Sequence, residues 1–491
     1  MSKFYLTTAI VYTNQEPHIG FALELLYADV IARYFRAQGE DVWFLTGTDE
    51  HGQKIAKAAK EHDVNPQKWT DTIAKRVQEL TKAWNISHDD FIRTTESRHE
   101  QGAQAFWRAA MKNGDLYKKS YTALYCEGCE SFKTAKDLVD NKCPDHQKKL
   151  EAVEEENYFF ALSKYQKKIE TLFKKQPDFV VPESKRNEML NVLKDGLEDI
   201  SVSRSTEHLQ WGIPVPDDDT QVMYVWFDAL TNYVTALGYG SDDEKKLKQY
   251  WPADVHIIGK EINRFHSLLW PAMLMSAGLE VPKKIAVHGW ITVDGQKMSK
   301  TIGNVIDPFE LVKKYPLDAV RYFFLREIPF DNDGDFSYER FEECYNSNLA
   351  HDLGNLMLRV TTLFEKTEQK EIAIKPFAVA ESDPWYANYH DAIKAFRYHE
   401  ALEFVWTLVR EANKRLTDEK PWEALTDEKS KQCVGELLFR LYQIGRLLRP
   451  FLPDTAEKII GQIEFVETSD ALVHISSKKG KPLFPALEIK R

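Results

Sequence analysis

A chain of 491 residues with 43% hydrophobic and 12% aromatic side chains has material for an ample core and for two to four domains, which excludes a disordered protein. Its net charge of −11, from 65 basic and 76 acidic side chains, excludes global steering towards nucleic acid but not local basic patches. No apolar run nears the roughly 20 residues that cross a bilayer, and the opening MSKFYLTTAIVYTNQ reads as a strand rather than a signal peptide. Five cysteines, three of them in one short segment, point to metal binding in a reducing compartment, the cytoplasm.

Residues 4–11 form a short apolar run with the pattern of a buried strand, broken at Thr13-Asn14. After Pro17-His18-Ile19-Gly20, Leu23, Leu26, Tyr27, Val30, Ile31 and Tyr34 recur at helical spacing as far as Gln38-Gly39. A second strand, 42–45, leads into Thr46-Gly47-Thr48-Asp49-Glu50-His51-Gly52 and then a helix from Lys54. Alternation of strand, polar loop and helix predicts a Rossmann-like, doubly wound parallel α/β sheet, with ligands at the carboxyl ends of its strands. His18, Asp49 and His51 fall at those ends. Gly20 beside His18 at a helix start permits close backbone approach, and the helix end favours an anion.

Cys126, Cys129, Cys143 and His146 follow a C-x2-C-x13-C-x2-H pattern. Two close pairs of soft ligands suit one tetrahedral, structural Zn2+ with no position left for water. Cys344 and Cys433 read as small buried hydrophobes. Residues 158–172 have helical spacing, while 221–226 and 255–258 predict two further strands of the sheet, each followed by a helix. Tyr12, Trp226, Tyr233 and Trp270 gather at the expected ligand edge. Aromatics also serve core packing, but a cluster at several strand ends suits a thioether, which gains ~0.3–1.5 kcal/mol per ring contact.

The run 285–293 ends in the turn signal Asp294-Gly295, followed by Lys297 and Lys300. Two ammonium groups three residues apart suit a polyphosphate, though by themselves they also describe a solvated hairpin tip. Residues 307–325 read as helix and 326–338 as a polar junction. Beyond Glu343, stripes such as Leu349, Leu353, Leu356 and Val360, or Leu437, Leu441, Ile444 and Leu448, predict a helical bundle. Taken alone, that bundle is a dimerisation module or ballast.

Pro17-His18-Ile19-Gly20 and Lys297-Met298-Ser299-Lys300 resemble the two signature sequences of class I aminoacyl-tRNA synthetases, HIGH and KMSKS. The surrounding residues resemble the methionyl branch of that family over essentially the whole chain. The resemblance implies a catalytic domain in two halves, 1–115 and 211–325, split by a zinc-knuckle insertion at 116–210. A stem-contacting junction at 326–345 and an all-α anticodon-binding bundle at 346–491 complete it. It implies activation of L-methionine by Mg2+-bound ATP and transfer to tRNA(Met), initiator included, for translation initiation and elongation. His18 and Gly20 hold ATP phosphates, Lys260 and Glu261 lie near phosphate and ribose or adenine, and His18, Lys297 and Lys300 carry the catalytic charge.

In the same comparison Ala9, Ile10, Tyr12, Trp226, Ala229, Tyr233, Ile262, His266 and Trp270 form the methionine pocket, and Asp49 binds the amino group. Asn355, Arg359 and Trp422 match the anticodon readers; as bare residues they also suit a helix bend and a core. The family motif closes with a second histidine where this chain has Phe21, so a donor to phosphate is replaced by a ring that cannot donate. Leu230 stands where many relatives have proline, and Thr301 keeps the hydroxyl that ends KMSKS. The insertion is too short for the editing site of leucyl, isoleucyl and valyl relatives. With no room after the bundle for the dimer-forming domain of some relatives, the expected state is a monomer, with no membrane association.

Overall fold

A near-continuous apolar run buries both faces of the N-terminal segment, as expected of a strand inside a parallel sheet. It forms β1, Lys3–Thr8, followed by β2, Val11–Tyr12, helix α1, Ile19–Ala37, and β3, Asp41–Asp49. The computed structural model describes residues 2–126, 131–133, 138, 140, 142–144, 150–298, 303–375, 384–467, 472–478 and 480–488. At 121–123, 125, 131–133, 151–155, 297, 384 and 467 it describes backbone alone. Met1–Ala28 with Gly39–His288 make one unit, and Asp29–Gln38 with Gly289–Arg491 make a second.

In the first unit the sheet continues through β4, Asp90–Arg93, β5, Val180–Val181, β6, Val255–Gly259, and β7, Ile285–His288. The order is β2-β3-β1-β6-β7-β5, with β4 also on β3, and every pairing is parallel. β1 pairs with residues 41–45 of β3 and β2 with residues 48 and 49, so the two lie end to end along one edge of β3. The chain winds outwards from β1 to β3 and β4, then returns to the other flank of β1 with β6. Strand order reverses between β1 and β6, where a doubly wound sheet opens its ligand crevice.

The segment 116–210 divides. It supplies β5 to the parallel sheet, and it forms an antiparallel sheet of Leu116–Cys126, Ser131–Lys133, Glu151–Phe160 and Ile200–Ser201. The helical spacing at 158–172 is therefore corrected. Its first residues end a strand paired with Leu116, and the helix begins at Gln166. A short aromatic run satisfies both periods, and cross-strand pairing decided between them. The expected strand at 221–226 is also corrected: Asp218–Met223 pairs antiparallel with Ser203–Ser205 and Pro214–Val215 outside the parallel sheet, and Trp226 lies in helix Val225–Leu230.

In the second unit Ile291–Val293 pairs parallel with Gly334–Phe336 and antiparallel with Gln296–Lys297. The run 285–293 is thus cut at Gly289, where a Cβ would lie 2.1 Å from the Asn332 carbonyl oxygen. Asp294 and Gly295 both have positive φ, 50° and 73°, the pairing a two-residue hairpin turn requires. Residues 307–325 form two helices, Pro308–Lys314 and Leu317–Glu327, because Pro316 intervenes. Helices Asn355–Lys366, Tyr398–Glu419, Glu428–Leu448 and Pro453–Ile460 bury the expected stripes, Leu356, Val360, Leu437, Leu441 and Ile444 among them.

The unit is not all-α. Ile372–Ile374, Val473–Ser477 and Ile463–Glu467 form an antiparallel sheet. Ile372 and Ile374 are buried and Ala373 exposed, a period of two too short to stand out beside the helical stripes. A Cβ at Gly435 would meet Ile374 at 2.7 Å and Ile372 at 2.8 Å, so glycine lets the sheet lie on helix Glu428–Leu448. No helix among the described residues is long and apolar enough to cross a membrane.

Candidate active site

α1 starts directly after His18, and the Gly20 N–H donates to His18 Nδ1 at 3.1 Å. Because that backbone group can only donate, Nδ1 accepts, and a neutral ring carries its proton on Nε2. The ring folds back over Gly20, where a Cβ would sit 3.1 Å from both Cε1 and Nδ1. His18 is exposed. Its Nε2–H and the positive end of α1 make the carboxyl edge of β1 receptive to an anion.

The loop after β3 is fixed at almost every polar group. Thr13 donates to the Asp49 carbonyl from both its N–H and its hydroxyl, each at 3.0 Å. Buried Glu50 accepts from Arg93 Nε and Nη2 at 2.7 and 2.9 Å, and from Thr48 and Thr95 hydroxyls at 2.6 Å. Trp211 Nε1 donates to the Glu50 carbonyl at 2.6 Å. His51 Nδ1 meets Asp228 Oδ2 at 2.8 Å, and the other oxygen of Asp228 accepts from His99 Nε2 at 2.7 Å. Burial disfavours charge on both His51 and Asp228, but their mutual attraction and hydrogen bonds win, holding the imidazole above and the carboxyl below their ordinary values. With the loop held this way, the end of β3 presents buried Asp49 opposite Tyr12, its partner in the β2–β3 register.

Aromatic side chains from three elements meet at the carboxyl edge of β1 and β6. Trp226 stacks on Phe265 with centroids 3.9 Å apart and planes within 5°. Tyr233 donates its hydroxyl to His266 Nε2 at 2.7 Å, while His266 Nδ1 donates to the Ile262 carbonyl at 3.1 Å. Burial lowers His266 to about 4, so it stays a neutral acceptor. Phe265 and His266 sit in a π-helical turn, Phe265–Leu269, directly before helix Trp270–Ser276. Such wide turns re-aim side chains and favour functional positions. Trp270, Ala229 and Tyr233 are buried; Ala9, Ile10, Tyr12, Trp226 and Ile262 are half-buried.

Lys260 and Glu261 follow β6 in a 3₁₀ turn, half-buried and exposed respectively. Lys297 has its backbone in the hairpin strand Gln296–Lys297, and Lys300 lies outside the described residues. Of the metal pattern, Cys126 and Cys143 are both buried, whereas Cys129 and His146 lie outside the described residues. Among the described residues no group of three or more His, Cys, Asp or Glu is placed to hold a metal ion. Cys344 and Cys433 are buried, and burial raises both thiols to about 12, as inert hydrophobes require.

In the second unit, Asn355 is exposed at the start of its helix, and Arg359, one turn on, holds its guanidinium 5.4 Å from the Trp422 ring centroid. Trp422 is 43% exposed, which takes it out of the core. Sequence reasoning missed Phe265, Asp228 and His99. Phe265 is flagged only through its neighbour His266, and the other two act over long separations that leave no local signal.

The family profile described as tRNA synthetases class I (M) matches residues 4–152 and 134–361. The methionine–tRNA ligase of Caldanaerobacter subterraneus subsp. tengcongensis is 44% identical over 99% of this chain and 79% of its own length. That of Thermotoga maritima is 43% identical over 99% and 81%. The crystal structure of Mycobacterium tuberculosis methionyl-tRNA synthetase bound by methionyl-adenylate matches with TM-score 0.90 and 35% identity over 99% of this chain and 100% of that one. Matched along its whole length by methionine–tRNA ligases and over most of it by their family profile, this chain belongs to the class I methionyl-tRNA synthetases.

Proposed function

We propose that the crevice at the carboxyl edge of β1, β3 and β6 is where this chain activates L-methionine with ATP before transferring it to tRNA(Met). The observation that carries the reading is the aromatic wall of Trp226, Phe265, Tyr233 and Trp270 beside a loop built to hold one carboxylate, Asp49. Ring faces and edges suit a thioether, and a buried carboxylate suits the α-ammonium group of an amino acid. Ala9, Ile10, Tyr12, Ala229, Ile262 and His266 complete the pocket.

The methionine carboxylate attacks the α-phosphorus of ATP, the bond to the β-phosphate oxygen breaks, and pyrophosphate leaves with the electron pair. Positioning and charge stabilisation supply most of the acceleration of such a transfer. His18 offers Nε2–H and α1 its N-terminal end; Gly20, Lys260 and Glu261 hold the nucleotide, and Lys297 and Lys300 supply positive charge to the departing phosphates. Mg2+ enters as part of the ATP substrate and offsets phosphate charge. The terminal adenosine hydroxyl of tRNA then attacks the activated carbonyl and releases AMP.

The same reading assigns the division into 1–115, 116–210, 211–325, 326–345 and 346–491, with Asn355, Arg359 and Trp422 as anticodon contacts. Exposed Trp422 and its guanidinium neighbour support a stacking platform for an unpaired base. Cys126, Cys129, Cys143 and His146 are assigned to one structural Zn2+; burial of both described thiols and their soft donor chemistry fit that ion. A cytoplasmic monomer is part of the proposal, checked by localisation and by mass in solution. ATP–pyrophosphate exchange driven by methionine, and not by cysteine, leucine, isoleucine or valine, is the expected result. Exchange with another amino acid, or with none, overturns the assignment of the pocket.

A further inference from the structure

Behind the aromatic wall lies a residue to which the mechanism gives no task. His256 is fully buried as the second residue of β6, directly opposite Thr7 in the β1–β6 register. Its Nδ1 is 2.7 Å from Thr7 Oγ1, and its Nε2 is 3.3 Å from Trp270 Nε1. An indole N–H only donates, so Nε2 accepts and Nδ1 carries the proton towards Thr7. The imidazole also stacks on Tyr233, with centroids 4.2 Å apart and planes 29° apart.

We propose that His256 is a positioning residue for amino-acid selection, clamping Trp270 by its ring nitrogen and Tyr233 by its ring face so that the pocket keeps one shape. Tyr233 is otherwise held by its hydroxyl on His266 and by the Tyr5 hydroxyl on its carbonyl, at 2.7 Å each. These contacts fix its two ends; His256, stacked at 4.2 Å, is nearer its ring than the tilted rings of His266 and Trp270 at 5.7 and 5.9 Å. Trp270 has Phe106 stacked on it at 5.9 Å and Trp251 edge-on at 6.2 Å. Such apolar contacts let an indole turn in its plane; the bond to His256 sets its angle. Burial keeps the ring neutral, well below the ordinary histidine value, which preserves Nε2 as an acceptor. A pocket that separates side chains differing by one methylene has only ~1–3 kcal/mol to work with, so its wall angles matter.

This inference rests on the reading of the pocket as the methionine site. The test is ATP–pyrophosphate exchange by the full chain and by His256→Phe, Thr7→Val, Trp270→Phe and the His256→Phe/Trp270→Phe double variant. His256→Phe keeps the stacked ring and removes both hydrogen bonds. The expected result is a KM for methionine raised about tenfold, as for loss of the one bond of the two that holds a pocket residue, Trp270, with kcat and the KM for ATP within about twofold. Thr7→Val moves the methionine KM the same way by a smaller factor, and it carries the test if His256→Phe fails to fold. The preference for methionine over norleucine narrows in both. In the Trp270→Phe background, His256→Phe adds little. An unchanged methionine KM in a folded variant, an equal rise in the KM for ATP, or an undiminished effect without the indole overturns the proposal. Wild-type exchange driven by methionine separates these failures from failure of the site itself, whose absence removes both readings.

Discussion

His51 Nδ1 sits 2.8 Å from Asp228 Oδ2, and the fully buried Asp228 carboxylate also receives His99 from helix Ser97–Lys112. One carboxylate therefore ties the loop that follows Asp49 to helix Ser97–Lys112. The bond has a signature in pH. His51 is raised above its ordinary value, so its stabilisation is complete below about pH 6.5, the unfolded histidine value, and is lost as pH rises through the folded value. Asp228 is lowered, so its share is present above about pH 4 and is lost as pH falls through its folded value. Thermal unfolding should show a plateau between those limits, with Asp228→Asn flattening the alkaline decline. An equally steep decline in Asp228→Asn assigns it to another group.

Phe21 occupies the first turn of α1 two residues past Ile19 and donates its N–H to the His18 carbonyl. Phe21→His restores a donor where the family motif has one. The expected outcome is a changed rate of adenylate formation in single-turnover quench experiments, with methionine affinity within about twofold. A shifted methionine affinity at constant rate refutes this assignment.

Trp422 and Arg359 stand in the second unit, with the tryptophan exposed. If an unpaired base stacks there, Trp422→Ala weakens tRNA charging by about 10–100-fold, matching ~1–3 kcal/mol of stacking. Pyrophosphate exchange without tRNA should stay unchanged. Equal loss in both assays makes Trp422 a structural residue.

Arg321 is fully buried in helix Leu317–Glu327. Its Nη2 meets Asp29 Oδ2 at 2.8 Å and its Nε donates to the Phe451 carbonyl at 2.7 Å. Arg321→Ala removes this partner from the buried Asp29 carboxylate, which also pairs with Arg33 at 2.7 Å. The expected cost is about 3–5 kcal/mol, the size of a broken buried ion pair, measured by denaturant unfolding. Arg321→Met should cost less, because it refills volume that alanine leaves empty.

Local chemistry makes much of this protein legible in its sequence. The continuous apolar run of β1, the helical spacing of α1, the Asp294-Gly295 turn and the bundle stripes each follow from neighbours within about ten residues, where period and turn residues act. His18 and Asp49 stand out because strand–loop–helix grammar fixes where ligand edges fall, whereas Trp226, expected at the end of a strand, lies in a helix in the fold. Local patterns failed where two periods fit equally, as at Tyr158, or where an element was three residues long, as at Ile372–Ile374.

Only the tertiary structure decided the partners: Phe265 on Trp226, Asp228 between His51 and His99, and His256 between Thr7 and Trp270. Asp228 is 177 residues from His51 and Thr7 is 249 from His256. The physical reason is burial. Inside the sheet a polar side chain must find its hydrogen bond wherever the fold brings a complementary atom, and sequence distance places no limit on where that is.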